Sequence, residues 1–226
     1  MKICPYVQQL RVWLEAKNLS YDIEHIDSSN RPAWLYEASP DGGEVPVLIT
    51  DDGEKLFQCD AIINYVDELY GSPFLAGSPI EKARQRAWGA LASENYLTQC
   101  STQRSATEDI LKERMNDLTP ILMHTEQHLS NRPYYLGRSI SHVDLCWMPL
   151  LHRASLIEKH TGYDFLENYS KLKAWQQALL TTGLIEKTVD RDFEEIFCDF
   201  YLSNETYLGR LGSRSTLEAE QVKHKD

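Results

Sequence analysis

Apolar and polar positions follow a helical period almost from the first residue. Val7, Leu10 and Leu14 share one face while Gln8, Gln9, Arg11 and Glu15 suit the other, which predicts an amphipathic helix over 5–17. The period then shortens. Tyr21-Asp22-Ile23-Glu24-His25-Ile26 alternates and predicts a strand. A short helix is expected at about 32–38, and Asp41-Gly42-Gly43 reads as a turn. Val45 to Ile49 is an apolar strand, Asp51-Asp52-Gly53 a hairpin turn and Lys55-Leu56-Phe57 a second strand. Ile62, Tyr65, Val66 and Leu69 then fall at i, i+3, i+4 and i+7, a helix reaching about Tyr70.

Past Gly71-Ser72-Pro73 the strand signals stop. Helical patterns follow over about 79–105, 108–130, 142–158, 168–180 and 190–202, with Pro149 predicting a kink. The chain therefore divides into an α/β domain over 1–72, an all-helical domain over 79–212 and a polar tail, 213–226, expected to be frayed or disordered.

Composition narrows the functional classes. The net charge of −11 opposes binding to phosphate backbones, so small molecules or proteins are better partners than nucleic acid. No apolar run approaches the ~20 residues that span a bilayer, so no membrane partner is expected. Five scattered cysteines without a framework spacing point to free thiols and a reducing, cytoplasmic setting.

Three short stretches carry candidate chemistry. Cys4-Pro5-Tyr6 opens the first helix, where unpaired N–H groups and the positive end of the dipole favour a thiolate and a lowered pKa. A small buried residue before a helix is the plainer alternative. Val45-Pro46 opens a strand. With a cis bond there, Val45 would turn its backbone N–H and C=O toward an extended ligand. Gln58-Cys59-Asp60 starts a helix and reads either as an anion site or as simple capping by Asp60 or its neighbours.

In this order the three stretches resemble the thioredoxin-like N-terminal domain of glutathione transferases, and the all-helical remainder resembles that family's second domain. Arg31-Pro32-Ala33-Trp34 is similar to the basic-Pro-x-Trp segment of the cysteine-type branch, the omega class and plant dehydroascorbate reductases. The resemblance implies that Cys4 forms a mixed disulfide with glutathione while Tyr6 lies against the site. It places Arg31 near the glycyl carboxylate and lets Val45, held by Pro46, pair its backbone with the cysteinyl unit. Gln58 and Cys59 fall where the family has an acidic residue and a serine for the γ-glutamyl end. The departure removes a negative charge and adds a thiol, so a Cys4–Cys59 disulfide is conceivable. The implied co-substrate is glutathione, the second substrate a small electrophile or disulfide, and the assembly a homodimer. Dehydroascorbate reduction uses the same thiol cycle.

Ser141 and Asp144 match the family's helix-starting motif and are structural, a variant of the capping box. Cys100, Cys146 and Cys198 read as packing residues. His124 and His128 lie at i and i+4 but lack the order and third ligand of a metal site, so no metal is assigned. In this fold a strand precedes the Cys-Pro-aromatic motif, and Met1-Lys2-Ile3 matches only the loop after it. The expected architecture is thus a thioredoxin-like domain lacking its first strand, followed by an all-helical domain. Either an upstream segment is absent, the preferred reading, or this is a short natural form with a damaged domain. The function expected is a glutathione-dependent thiol transferase or reductase; the alternative is a non-enzymatic binding or scaffold protein.

Overall fold

The computed structural model describes residues 2–213. The first part holds helices α1 (Pro5–Ala16) and α2 (Ala33–Ala38), strands β1 (Leu48–Ile49) and β2 (Lys55–Leu56), and helix α3 (Cys59–Leu69). Seven helices follow: α4 (Pro79–Ser93), α5 (Tyr96–Gln103), α6 (Glu108–His128), α7 (His142–Thr161), α8 (Ser170–Leu180), α9 (Leu184–Lys187) and α10 (Phe193–Tyr201).

Local chemistry accounts for most helix starts. Pro5 takes the first helical position of α1, where a missing N–H costs nothing. Thr107 Oγ1 caps α6 by accepting from the Ile110 N–H at 3.3 Å. Ser78 and Glu81 form a capping box on α4, and Ser141 and Asp144 form another on α7. Gly162, at φ 72°, ends α7 in the left-handed conformation that glycine adopts freely.

α7 is the hub. Sixteen of its 20 residues are buried, so it is enclosed on all sides rather than lying on a surface. It packs against α1, α4, α5 and α8. Gly89 lets α4 approach closely, because a Cβ there would sit 2.7 Å from His142 Nε2 and 3.0 Å from Cys146 Sγ. α1 packs on α3 as well as α7, so one continuous apolar core runs through both parts of the chain. Lys17 and Asp67 pair at 2.8 Å beneath the surface. The same carboxylate accepts from Phe74 N at 2.8 Å and Leu75 N at 3.0 Å, which ties the connecting segment back onto α3.

Several expectations need correction. Residues 21–26 carry no strand. The physical reason is spacing. A cavity of about 710 Å³, floored by Leu10, Leu14 and Val66, separates this segment from β1, so the two cannot share a ladder. The sheet among the described residues is the β1–β2 hairpin alone, antiparallel, with Leu48 opposite Leu56. The long helix expected over 79–105 breaks at Glu94-Asn95 into α4 and α5. Pro149 lies inside α7 as expected, and its carbonyl accepts from Arg153 Nη1 at 3.1 Å. Of the tail expected at 213–226, Ser213 is the last described residue and is helical with 207–212, and the rest lies outside the described residues.

Candidate active site

A cleft of about 580 Å³ opens between the first part and the helices, and Cys4, Tyr6, Arg31 and Val45 share its walls. Four of the seven residues expected at the glutathione site thus meet around one space. Cys4 is the N-cap of α1, so its sulfur lies at the helix mouth. Tyr6 donates its hydroxyl to the Ser93 carbonyl at 3.1 Å and meets Tyr96 edge-on at 5.2 Å, which joins the thiol's helix to α4 and α5. The Val45–Pro46 bond is cis. Arg31 Nη1 donates to the carbonyls of Gly42 and Gly43 at 3.0 and 3.2 Å and stands 3.7 Å from Glu44, so it holds the loop that presents Val45.

The expected low pKa of Cys4 is corrected. Burial comes first and pushes the thiol up, while the N–H groups of Val7 and Tyr6 and the charge of Arg153 pull it back only in part. The helix mouth thus does not overcome the missing water.

Arg153 is the residue the sequence did not expose. Its guanidinium is fully buried, donating to the Ile3 carbonyl at 3.1 Å through Nη2 and to Gln8 Oε1 through Nη1. It braces the backbone immediately before Cys4 from α7. Gln8 Nε2 donates to His152 Nδ1 at 3.0 Å and to Thr188 Oγ1 at 3.3 Å. An accepting Nδ1 makes His152 neutral, and burial lowers its pKa to about 3.

The other expected residues lie elsewhere. Gln58, at φ 65°, is the N-cap of α3, and its side chain donates to Asp41 Oδ2 at 2.5 Å. The Cys59 thiol is turned into the core, 3.2 Å from Gln9 Oε1 and 3.3 Å from the Tyr6 carbonyl, and burial raises its pKa well above the usual range. Cys4 and Cys59 are both free thiols here. Pro46 is buried beside the neighbouring cavity. Asp144 accepts from Ser141 N at 2.8 Å, Tyr135 N at 2.9 Å and Trp175 Nε1 at 2.6 Å, far from the cleft and fully buried.

Cys100 packs against the core as expected, and it also reaches the cleft. It is half-buried on the cleft wall, where Tyr201 donates its hydroxyl to Sγ at 3.1 Å. Leu97, Cys100, Ser101 and Arg104 all line the cleft, at i, i+3, i+4 and i+7 of α5 and its C-cap. That stripe is visible in the sequence, but nothing local says what it faces. Among the described residues no cluster of His, Cys, Asp and Glu could hold a metal ion, and no helix is long and apolar enough to cross a membrane. His128 Nδ1 instead donates to the His124 carbonyl, 2.8 Å away, and its ring packs on Trp88.

Residues 3–69 match the family model of the glutathione S-transferase N-terminal domain, which covers the cleft's thiol, its arginine and the cis-proline loop. Over these residues the chain is similar to glutathione S-transferases. It is 27% identical over 209 residues to glutathione S-transferase omega-1 of Sus scrofa, covering 90% of this chain and 85% of that protein. It is 28% identical over 187 residues to the probable glutathione S-transferase DHAR1, cytosolic, of Oryza sativa subsp. japonica, covering 82% and 83%. Among solved structures, the rice transferase GST1 (OsGSTU1), in complex with glutathione, superposes with TM-score 0.77 at 18% identity, over 91% of this chain and 96% of that one. Glutathione transferase Omega 3C from Trametes versicolor gives 0.71 at 21% identity, over 85% and 88%. The fold is therefore that of glutathione transferases, a small thioredoxin-like part followed by helices, and the relatives it is similar to include omega-class and DHAR proteins.

Proposed function

We propose that this chain is a member of the glutathione S-transferase superfamily, a glutathione-dependent thiol transferase or reductase in which Cys4 is the nucleophile. The observation that carries this reading is Cys4 at the mouth of α1, on the wall of a cleft it shares with Tyr6, Arg31 and Val45. The names of the omega and DHAR relatives support it. We read 1–72 as the glutathione-binding domain and 79–212 as the helical domain, in a cytoplasmic protein able to form homodimers.

Glutathione is the co-substrate. The Arg31 guanidinium receives the glycyl carboxylate, and the Val45 backbone pairs with the cysteinyl unit. The N–H groups at the start of α3, around Gln58 and Cys59, take the γ-glutamyl end. The Cys59 thiol has no part in this, being turned inward. In the chemical cycle, Cys4 thiolate attacks the glutathionyl sulfur of a mixed disulfide R–S–S–G. The Cys4–glutathione bond forms, the substrate S–S bond breaks, and R–S⁻ leaves and takes a proton. A second glutathione thiolate attacks the glutathionyl sulfur on Cys4, which releases glutathione disulfide and restores the Cys4 thiolate. Reduction of dehydroascorbate draws its two electrons from the same pair of glutathiones.

The test is peptide mapping by mass spectrometry after brief exposure to glutathione disulfide. Rapid, selective glutathionylation of Cys4 is the expected result, faster as pH rises because burial holds Cys4 as a thiol. Labelling spread over Cys100 and Cys198 with Cys4 untouched would overturn it. The buried Cys4 thiol favours a second reading, a non-catalytic glutathione-binding protein. In that case immobilised glutathione would retain the chain while Cys4 stayed unlabelled.

A further inference from the structure

The helical wall of the cleft carries two arginines that the thiol cycle does not use. Arg104 and Arg114 both line the space into which Cys4 faces. Each is held in place. Arg104 lies over the Phe200 ring, 4.4 Å from its centroid, and Arg114 donates through Nη1 to the Ser101 carbonyl at 2.6 Å. Among the described residues neither forms an ion pair with a carboxylate. Most lysines and arginines among the described residues share that lack, so what sets these two apart is their place on the cleft wall. The single carboxylate on the cleft wall, Glu44, belongs to the opposite side and stands beside Arg31.

The C-cap position of Arg104 alone would explain a cation there, through the helix dipole. It does not explain Arg114, a half-buried residue in the first turns of α6 that reaches back to α5. Two oriented guanidiniums with open donors, on the wall across from the residues proposed to hold glutathione, form a fork for a carboxylate or similar anion. Arg104 is exposed and Arg114 half-buried, so water screens both charges in part.

We propose that the second substrate of Cys4 is an anion, a mixed disulfide whose leaving thiol carries a carboxylate held by Arg104 and Arg114. This rests on the thiol-transfer reading and names its substrate class. The bonds that form and break are those already given: Cys4 takes the glutathionyl sulfur and the carboxylate-bearing thiolate departs. The same two cations face the negative charge on that departing sulfur.

The test compares the glutathione mixed disulfides of 3-mercaptopropionate, 2-mercaptoethanol and cysteamine, which differ at the far end in charge. The carboxylate substrate should exceed the hydroxyl one in kcat/KM by about fivefold at low salt, as expected from two partly exposed charge contacts. The ammonium substrate should be poorest, and added potassium chloride should shrink the spread. In Arg104→Gln/Arg114→Gln the carboxylate-to-hydroxyl ratio should fall toward unity. Equal rates on all three substrates, or a preference for the ammonium one, would overturn the anion site and leave the thiol cycle standing. Absence of turnover on all three would count against the cycle itself. A second measurement separates the cases. Alkylation of Cys4 by iodoacetate relative to iodoacetamide should exceed the ratio for free glutathione and drop in the double variant. A ratio equal to that of free glutathione overturns the anion site whatever the activity.

Discussion

The helical part and the α/β part of this chain bury their side chains to different degrees. α7 is enclosed almost all round, and its Asp144 and Arg153 bond to named partners, while His142 Nδ1 and Arg153 Nε find none among the described residues. The first part has a hairpin of two short strands. It holds six of the eleven exposed large apolar side chains among the described residues: Ile23, Tyr36, Ile49, Phe57, Leu69 and Tyr70. Helices close their backbone hydrogen bonds internally, so each needs only one apolar face covered. A strand depends on a neighbour, and here a cavity takes the neighbour's place. The part with the poorer packing holds the thiol, and the well-packed part braces it through Arg153. Chemistry and stability are thus separable by mutation.

The largest expected effect tests that separation. Cys4→Ser should lower thiol transfer by at least about a hundredfold, because a hydroxyl does not replace a thiolate nucleophile, while urea unfolding stays within error of the parent. A large stability loss would mean the thiol is a packing residue after all.

Asp144→Ala is the converse. It leaves the buried Trp175, Tyr135 and Ser141 donors without their acceptor and should cost about 3 kcal/mol in urea unfolding. The folded fraction should still glutathionylate Cys4 at the parental rate. Equal loss of both would join the two regions into one functional unit.

Acid should find the helical part through its buried histidines. Burial holds His142 down to about 4, below its unfolded value of 6.5. A depressed histidine stabilises fully above the unfolded pKa, where both states are neutral. That stability is lost as pH falls from 6.5 toward 4, because only the unfolded state gains the proton. The full loss is up to about 3 kcal/mol. His142→Gln should flatten stability over that window, measured by urea unfolding at stepped pH. An unchanged slope would assign the acid sensitivity to other groups.

The smallest effect lies in the α/β part. Gln58 pays for its positive φ, so Gln58→Gly should stabilise by up to about 1 kcal/mol, less the exposed bond to Asp41. A destabilisation would mean the Asp41 contact outweighs the strain.

What could be read in advance follows the range of the forces. The period of Val7, Leu10 and Leu14 marked α1, Ile62 to Leu69 marked α3, and Ser141 with Asp144 marked the start of α7. In each case the information lies within a few residues and the hydrogen bonds stay inside the element. The gathering of Cys4, Tyr6, Arg31 and Val45 was legible too, through the order of short motifs rather than through any distance. The strand expected at 21–26 failed because alternation describes a strand's faces and says nothing of its neighbour. The pKa of Cys4 was misjudged for a similar reason: position at a helix mouth is local, whereas burial depends on everything packed around it. Arg153, Cys100 and the arginine pair at 104 and 114 looked like ordinary helix residues. Long-range packing alone set Arg153 under Ile3 and turned the α5 stripe toward the cleft. The sequence by itself determined most of the helices, the Ser141–Asp144 cap and the thiol at the helix mouth, since those are settled by neighbours in the chain. Tertiary structure decided which charges and thiols share a space, since contacts between residues far apart in the chain exist only once the core has closed.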